Sequence, residues 1–457
     1  MISAAFSIVT FTVVILLIFK QPVCKIPFTA KRFQIDYGTA PLIGVVILLA
    51  TFSITPSAIL NGVIGDSVIQ PYAILILFMS LAYICLSLDA TGLFAYLALR
   101  TTKAAGTSGK KLFLYFFALS SFLTLFTSND IVILTLTPII YYFAKSTKTD
   151  PVPFLIAQFF AANVWSAALY TGNPTNIIVA QAYNCSFLGY SEWMLLPTVA
   201  AGISCLFLLW MVFRKRIPAK VEPQEINPNS ALKDKAGAIF GTVCLAACLV
   251  CINLYSVLGV AIWQIPLAFC LVVALRDVIA FKFSFREAKS ESVEVPALVQ
   301  VLKRMPWKIV PFVIGLFIMV ESLVASGYLD LFASNLSAVL SEPLSSTFGM
   351  GFLSSGVANL LSNQPMTILF TRMLQNPGFV VSVQAEQAGM FSLVLGSNFG
   401  ANLTLIGSLA GLMWRKLLSD KGVFISFREF SKYGFLIMPL TVFFACLTLL
   451  LEILFWG

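Results

Sequence analysis

The chain has 457 residues, of which 59% are hydrophobic, 13% aromatic and only 11% charged. A soluble domain carries roughly a quarter charged residues, so this inventory cannot furnish a water-facing surface, and the composition is that of a polytopic membrane protein. The formal charge of +9 belongs to loops beside a membrane rather than to nucleic-acid contact. The chain has no histidine, which excludes His-dependent metal sites, Ser–His and Cys–His nucleophile pairs and His proton relays.

Crossing ~30 Å of hydrocarbon takes about 20 apolar residues. In chain order the sequence predicts ten crossings, at 3–19, 38–55, 71–88, 152–182, 193–213, 236–254, 257–276, 307–326, 386–413 and 433–456. The first lacks a basic leader and reads as an uncleaved anchor. Two further apolar stretches, 111–144 and 346–376, are interrupted at Thr127-Ser128-Asn129-Asp130 and at Leu361-Ser362-Asn363-Gln364-Pro365, and read as re-entrant helical hairpins. The charged, Pro-containing segment 214–235 is a cytoplasmic linker. The loop 277–306 mixes both signs and is expected to form a surface helix.

Charge sets the orientation. If each hairpin returns to the side from which it entered, every Lys and Arg except Arg372 falls on one face. The positive-inside rule makes that face cytoplasmic and places both termini outside. The first half (1–213) and the second (236–457) then hold five crossings and one hairpin each, and an odd number of crossings turns the second half upside down. The spacings agree: Asn129 and Asn363 are 234 apart, while Asn163 and Asn398, Gly172 and Gly407, and Gly92 and Gly327 are each 235 apart. The expected fold is therefore an all-α inverted repeat with interrupted helices meeting at mid-membrane, the recurrent plan of secondary transporters.

Lipid tolerates non-helical backbone only where it is buried in protein or lines a wet cavity. Besides the two hairpin tips, two breaks need such a place. One is Thr171-Gly172-Asn173-Pro174-Thr175-Asn176 in the 152–182 crossing. The other runs from Ser397 and Asn398 through Asn402 and Thr404 in the 386–413 crossing. Pro174 removes a ladder donor, and the Asn, Ser and Thr side chains both donate and accept. Polar kinks that satisfy one another across a helix interface are the competing explanation for any single break. Four breaks in two matched pairs favour a substrate or ion site at Ser128, Asn129, Asp130, Thr171, Gly172, Asn173, Thr175, Asn176, Ser362, Asn363, Gln364, Ser397, Asn398, Asn402 and Thr404.

Carboxylates inside a membrane are costly and are functional candidates by default. Asp130, at the first hairpin tip, is the expected proton carrier, with Gln364 in its place in the second half; Glu321 is a second candidate for coupling. Glu452 reads as interfacial and Asp89 as a helix terminator. Cys244, Cys248 and Cys251 share one helix face and read as small apolar residues. No cofactor, metal-ligand cluster or nucleophile–base pair is present to suggest an enzyme. No GxxxxGK[ST] run exists to bind nucleotide, so the work comes from an ion gradient or from a partner ATPase.

The run GSNFGANLTLIGSLAGLMWRKLLSDKG, at residues 396–422, resembles the arsenite/antimonite efflux permease family of the ion-transporter superfamily, as do SNDIVILTLTPII, TGNPTNII and PWKIVPFVIGLFIMVES. The superfamily includes sodium/proton antiporters and sodium-coupled dicarboxylate carriers. The resemblance implies a cavity built from both hairpin tips and both broken helices, and alternating access in the plasma or inner membrane. Its partners would be a small inorganic substrate, a coupling proton or sodium ion and membrane lipid; a homodimer and an arsenite-stimulated ATPase belong to the same family picture. Dicarboxylate carriers continue Ser-Asn with Thr at each tip, where this chain has Asp130 and Gln364. Arsenite or antimonite export against protons is the leading expectation. Sodium/proton antiport, anion carriage and service as the membrane subunit of an ATPase-driven pump are the rivals.

Overall fold

The computed structural model describes residues 2–25, 32–66, 69–222, 227–287 and 297–456; part of the linker (223–226) and of the second long loop (288–296) lies outside the described residues. The first half begins with α1 (Ile2–Lys20), an exposed antiparallel pair β1 (Val23–Lys25) and β2 (Arg32–Gln34), α2 (Thr39–Ala50) and α3 (Pro56–Ile64). It continues with α4 (Pro71–Ala90), α5 (Leu93–Ala105), α6 (Gly109–Phe126), α7 (Asn129–Ser146), α8 (Val152–Trp165), α9 (Pro174–Ala182) and α10 (Phe187–Phe213). The second half contains α11 (Lys235–Asn253), α12 (Tyr255–Leu258), α13 (Gln264–Glu287), α14 (Ala297–Arg304), α15 (Ile309–Ala325), α16 (Tyr328–Val339) and α17 (Pro343–Leu361). It ends with α18 (Asn363–Leu374), α19 (Val383–Phe399), α20 (Leu409–Ser419) and α21 (Phe427–Trp456).

From α4 to α10 and from α15 to α21 the same succession occurs twice: a long helix, a short one, a hairpin, a broken helix and a long closing helix. The turn between the first two helices is set by Gly92 (φ 86°) and Gly327 (φ 76°), a left-handed conformation that favours glycine. At Gly92 a Cβ would also lie 1.9 Å from the Ala231 carbonyl oxygen. Hairpin one is α6 and α7 joined through Thr127 and Ser128. Hairpin two is α17 and α18 joined through Ser362, a non-glycine residue at φ 68°.

Seven helices among the described residues are long and apolar enough to cross a membrane. They include six of the expected crossings and also α6, the first leg of hairpin one. Length and composition alone therefore do not separate a hairpin leg from a crossing. The crossing expected at 3–19 is α1, while those expected at 38–55, 152–182 and 386–413 appear as a shorter helix or as helix pairs across a break. Amphipathic α14 supplies the surface helix expected in 277–306.

The core sits around α8, where Phe154, Leu155, Ile156, Phe159 and Phe160 are all buried. A helix apolar on every side belongs in a protein interior. α8 is walled by α6, α7 and α10, and α19 by α17, α18 and α21. Small residues let α17 and α19 touch: a Cβ on Gly396 would lie 2.6 Å from the Gly351 carbonyl oxygen, and one on Gly400 2.6 Å from that of Ser355.

The halves interlock rather than stand side by side. α1, α2 and α3 pack on α15 of the second half, and α11 and α13 pack on α4 of the first. The returning leg α7 lies against α20, and α18 against α9.

Candidate transport site at the helix breaks

α8 stops at Trp165, the chain makes a short 3-10 turn at Tyr170–Gly172, and α9 restarts at Pro174 with Asn173 as its cap. The second break repeats this: α19 ends at Phe399, a 3-10 turn covers Gly400–Asn402, and Ser408 caps α20. Gly172 is required by close approach, since a Cβ there would lie 2.3 Å from the Ser166 carbonyl oxygen.

The two breaks are joined by side-chain amides. Asn398 Oδ1 accepts from Ser166 Oγ (2.7 Å) and Asn173 Nδ2 (2.9 Å), while its Nδ2 donates to Asn176 Oδ1 (2.8 Å). Asn163 Nδ2 donates to Asn402 Oδ1 at 2.8 Å. Asn176 Nδ2 donates to the Ser166 and Leu169 carbonyls, capturing backbone groups freed by the break. Ser397 Oγ donates to Thr175 Oγ1 at 3.2 Å, and Thr404 Oγ1 donates to Asn359 Oδ1 at 2.6 Å.

Each hairpin tip docks on a break. Asn129 Nδ2 donates to Asn163 Oδ1 at 2.8 Å, and the Asn363 backbone N–H donates to the Gly407 carbonyl at 3.0 Å. Around the tips several buried polar atoms have no hydrogen-bond partner: Thr124 Oγ1, Ser128 Oγ, Asn129 Oδ1 and Thr171 Oγ1 in the first half, Ser362 Oγ and Gln364 Oε1 in the second. Buried polar groups are ordinarily paired, so such a concentration marks a place where a ligand, ion or water completes the bonding.

The sequence-derived site thus divides. Asn173, Thr175, Asn176, Ser397, Asn398, Asn402 and Thr404 satisfy one another or nearby groups and hold the breaks together. Ser128, Asn129, Thr171, Ser362 and Gln364 carry unmet polar atoms. The half-buried Asp130 carboxylate follows directly at the first tip, with no hydrogen bond or ion pair among the described residues. Sequence reasoning missed Asn163, Ser166 and Asn359 as members of the network. Asn163 carried a signal, its 235-residue spacing from Asn398; Ser166 and Asn359 had none.

Other carboxylates have partners. Glu321 pairs with Arg372 at 2.7 Å, and Arg372 also holds Asp66 at 2.7 Å. Asp89 is no simple helix terminator: it pairs with Arg304 at 2.6 Å and accepts from Thr135 Oγ1 at 3.3 Å. Glu452, expected at the interface, is 4% exposed, because its face of α21 turns inward. Cys244 and Cys248 are buried in the face of α11 that packs on α4 and α13, and no metal-binding cluster occurs among the described residues.

A cavity of about 10 Å³ lies where the first tip meets the first break and α4, lined by Cys85, Thr127, Ser128, Ile131 and Thr171 among others. None of its lining residues, and none of the residues of the amide network, is basic.

A sequence profile described as "citrate transporter" matches residues 14–392. The chain belongs to that family. It is similar to arsenical pump membrane proteins, with 29% identity to that of Yersinia enterocolitica over 82% of this chain and 84% of the relative. The arsenical pump membrane protein of Escherichia coli strain K12 is 28% identical over 90% of this chain and 92% of its own length. Among solved structures, the Alcanivorax borkumensis YdaH transporter superposes with a TM-score of 0.55 at 11% identity, covering 100% of this chain and 98% of that one. The protein is a multi-pass membrane transporter, and its fold is that of the YdaH transporter.

Proposed function

We propose that the protein exports arsenite or antimonite in exchange for protons by alternating access, with Asp130 as the proton carrier. The observation that carries this reading is the set of unmet hydroxyl and amide atoms at the two tips, beside one free carboxylate and no basic side chain. Arsenous acid is small, neutral and hydroxylated, and matches such a surface. A citrate-like anion does not: two like charges 4 Å apart at an effective dielectric near 20 repel by about 4 kcal/mol, and nothing at the tips offsets Asp130. The relatives called arsenical pump membrane proteins support the same choice. In this reading the hairpins enter from opposite faces, both termini lie outside, and Glu321, already held by Arg372, serves the scaffold more than the proton path.

The test is flux in liposomes containing only the purified protein. An imposed pH gradient should drive metalloid movement without ATP, which also removes any obligatory ATPase. Sodium-dependent proton movement with no metalloid requirement would instead establish the antiporter reading.

A further inference from the structure

α6 and α10 both pack on α8, and between them lies an outward-facing groove of about 470 Å³. Its floor is the buried ring of Phe113, which meets Trp210 of α10 at 6.2 Å and Phe154 of α8 at 6.3 Å. Its walls are Leu114 on one side and Ile203 and Phe207 on the other, all exposed. Residues 203–210 extend about 10 Å along α10, so the groove is a slot running with the helices. One end is charged. Lys110 and Lys111, exposed at the start of α6, both line it, and Lys110 Nζ stands 5.8 Å from the centre of the Trp210 ring. Among the described residues neither lysine has an ion-pair partner, and the carboxylates of the adjoining segments are engaged elsewhere, Asp150 and Glu429 with Arg216 and Glu222 with Lys148. The chain after α10 folds back over the start of α6: the Val221 N–H donates to the Thr107 carbonyl at 2.8 Å, and a Cβ on Gly109 would lie 2.2 Å from the Pro218 carbonyl oxygen. That return brings the exposed Arg214, Lys215 and Lys220 to the same edge.

We infer that this slot binds one anionic phospholipid, with an acyl chain lying along Phe113, Ile203 and Phe207 and the phosphate held by Lys110 and Lys111. The apolar length of the slot accepts any acyl chain, but the unpaired cations at its end discriminate by headgroup. An anionic lipid brings the negative charge that the protein itself withholds, and basic pockets between membrane helices select such headgroups. The phosphate also meets the start of α6, where the helix dipole favours an anion. Trp210 stands between the two chemistries, the usual place of a Trp at the boundary of membrane and water. A second copy of the chain fits the slot less well. Lys is depleted from the cores of protein interfaces, and a parallel two-fold dimer through this face would set two lysine pairs at one membrane level. Since α6 is a leg of hairpin one and α10 closes the same half, a lipid seated here ties the hairpin to α10. It stabilises the folded protein by mass action, whatever solute is transported.

The test uses the full-length purified protein in micelles of an uncharged detergent, with phosphatidylglycerol and phosphatidylcholine of identical acyl chains as probes. Native mass spectrometry should show one phosphatidylglycerol held about tenfold more tightly than phosphatidylcholine, a difference of 1.4 kcal/mol, and phosphatidylglycerol should raise the Tm. Lys110→Gln with Lys111→Gln should erase that preference. Arg415→Gln with Lys416→Gln, which removes the same charge from α20, should keep it. A phosphatidylglycerol with a photoactivatable group in its acyl chain should label residues 113–114 and 203–207. Should the double lysine variant fail to fold, Lys110→Gln and Lys111→Gln singly carry the comparison, each losing part of the preference. Equal retention of the two lipids, a preference that survives without the lysines, or labelling elsewhere overturns the inference. Displacement of the lipid by soluble glycerol phosphate would make this a phosphate site, and cross-links between the slots of two copies would make it a dimer face; either result overturns it too.

Discussion

Hairpin one carries a carboxylate at the tip, where Asp130 follows Asn129; hairpin two has the neutral Gln364 there and carries a guanidinium on the returning leg, at Arg372. The fastenings differ in the same sense. Among the described residues, α7 of hairpin one reaches its clasp through the Thr135 hydroxyl, which touches the Asp89–Arg304 pair. α18 of hairpin two is gripped by two carboxylates, Glu321 of α15 and Asp66 of the loop before α4. The same elements are thus used twice with the ionic group moved from one end of the hairpin to the other. A free charge at a tip can respond to protons. A charge locked between two carboxylates makes an anchor.

Replacing Asp130 by Asn should break the contrast most severely. Exchange driven by a pH gradient should fall to the background of empty liposomes while thermal unfolding stays near that of the wild type; unchanged transport would remove Asp130 from the mechanism. At the other hairpin, Arg372→Met leaves Glu321 and Asp66 facing each other and should cost about 3–5 kcal/mol of stability, the usual penalty for breaking a buried pair. Adding Glu321→Met and Asp66→Asn should recover most of that loss, as a double-mutant analysis of denaturation would show. The same lesion at the first clasp, Arg304→Met, should cost about 1–3 kcal/mol, because Arg304 is 39% exposed against 11% for Arg372. If the two clasps proved equally costly, the distinction between anchor and responder would fail. The smallest effect belongs to Thr404→Val, which removes one hydrogen bond to Asn359 and should lower stability by about 1 kcal/mol without altering coupling.

Much of this was legible before any coordinates. The breaks announce themselves because Gly, Pro and Asn interrupt otherwise continuous apolar runs, and lipid permits that only in a protected interior. Both hairpin tips and both broken helices follow from such local chemistry. Partner choice does not. Nothing in the periodicity of α1 or α11 says that each packs against the opposite half. Nor does any spacing bring Arg372 to Glu321, 51 residues away. Depth along a helix could be judged for Glu452, but not which way it faced. The short helices α3, α5 and α16 and the β1–β2 pair escaped notice because they are brief and carry weak patterns.

The hydrogen bond between Asn163 and Asn402 joins residues 239 positions apart. At 5–20 residues per second of synthesis, that separation corresponds to roughly 12–50 s. Through that interval the first half already lies in the bilayer with Asn163, Ser166, Asn173 and Asn176 lacking their final partners. The nascent half-molecule must therefore shelter a wet, half-finished seam until α19 arrives, and chains truncated before residue 398 should be cleared by membrane quality control.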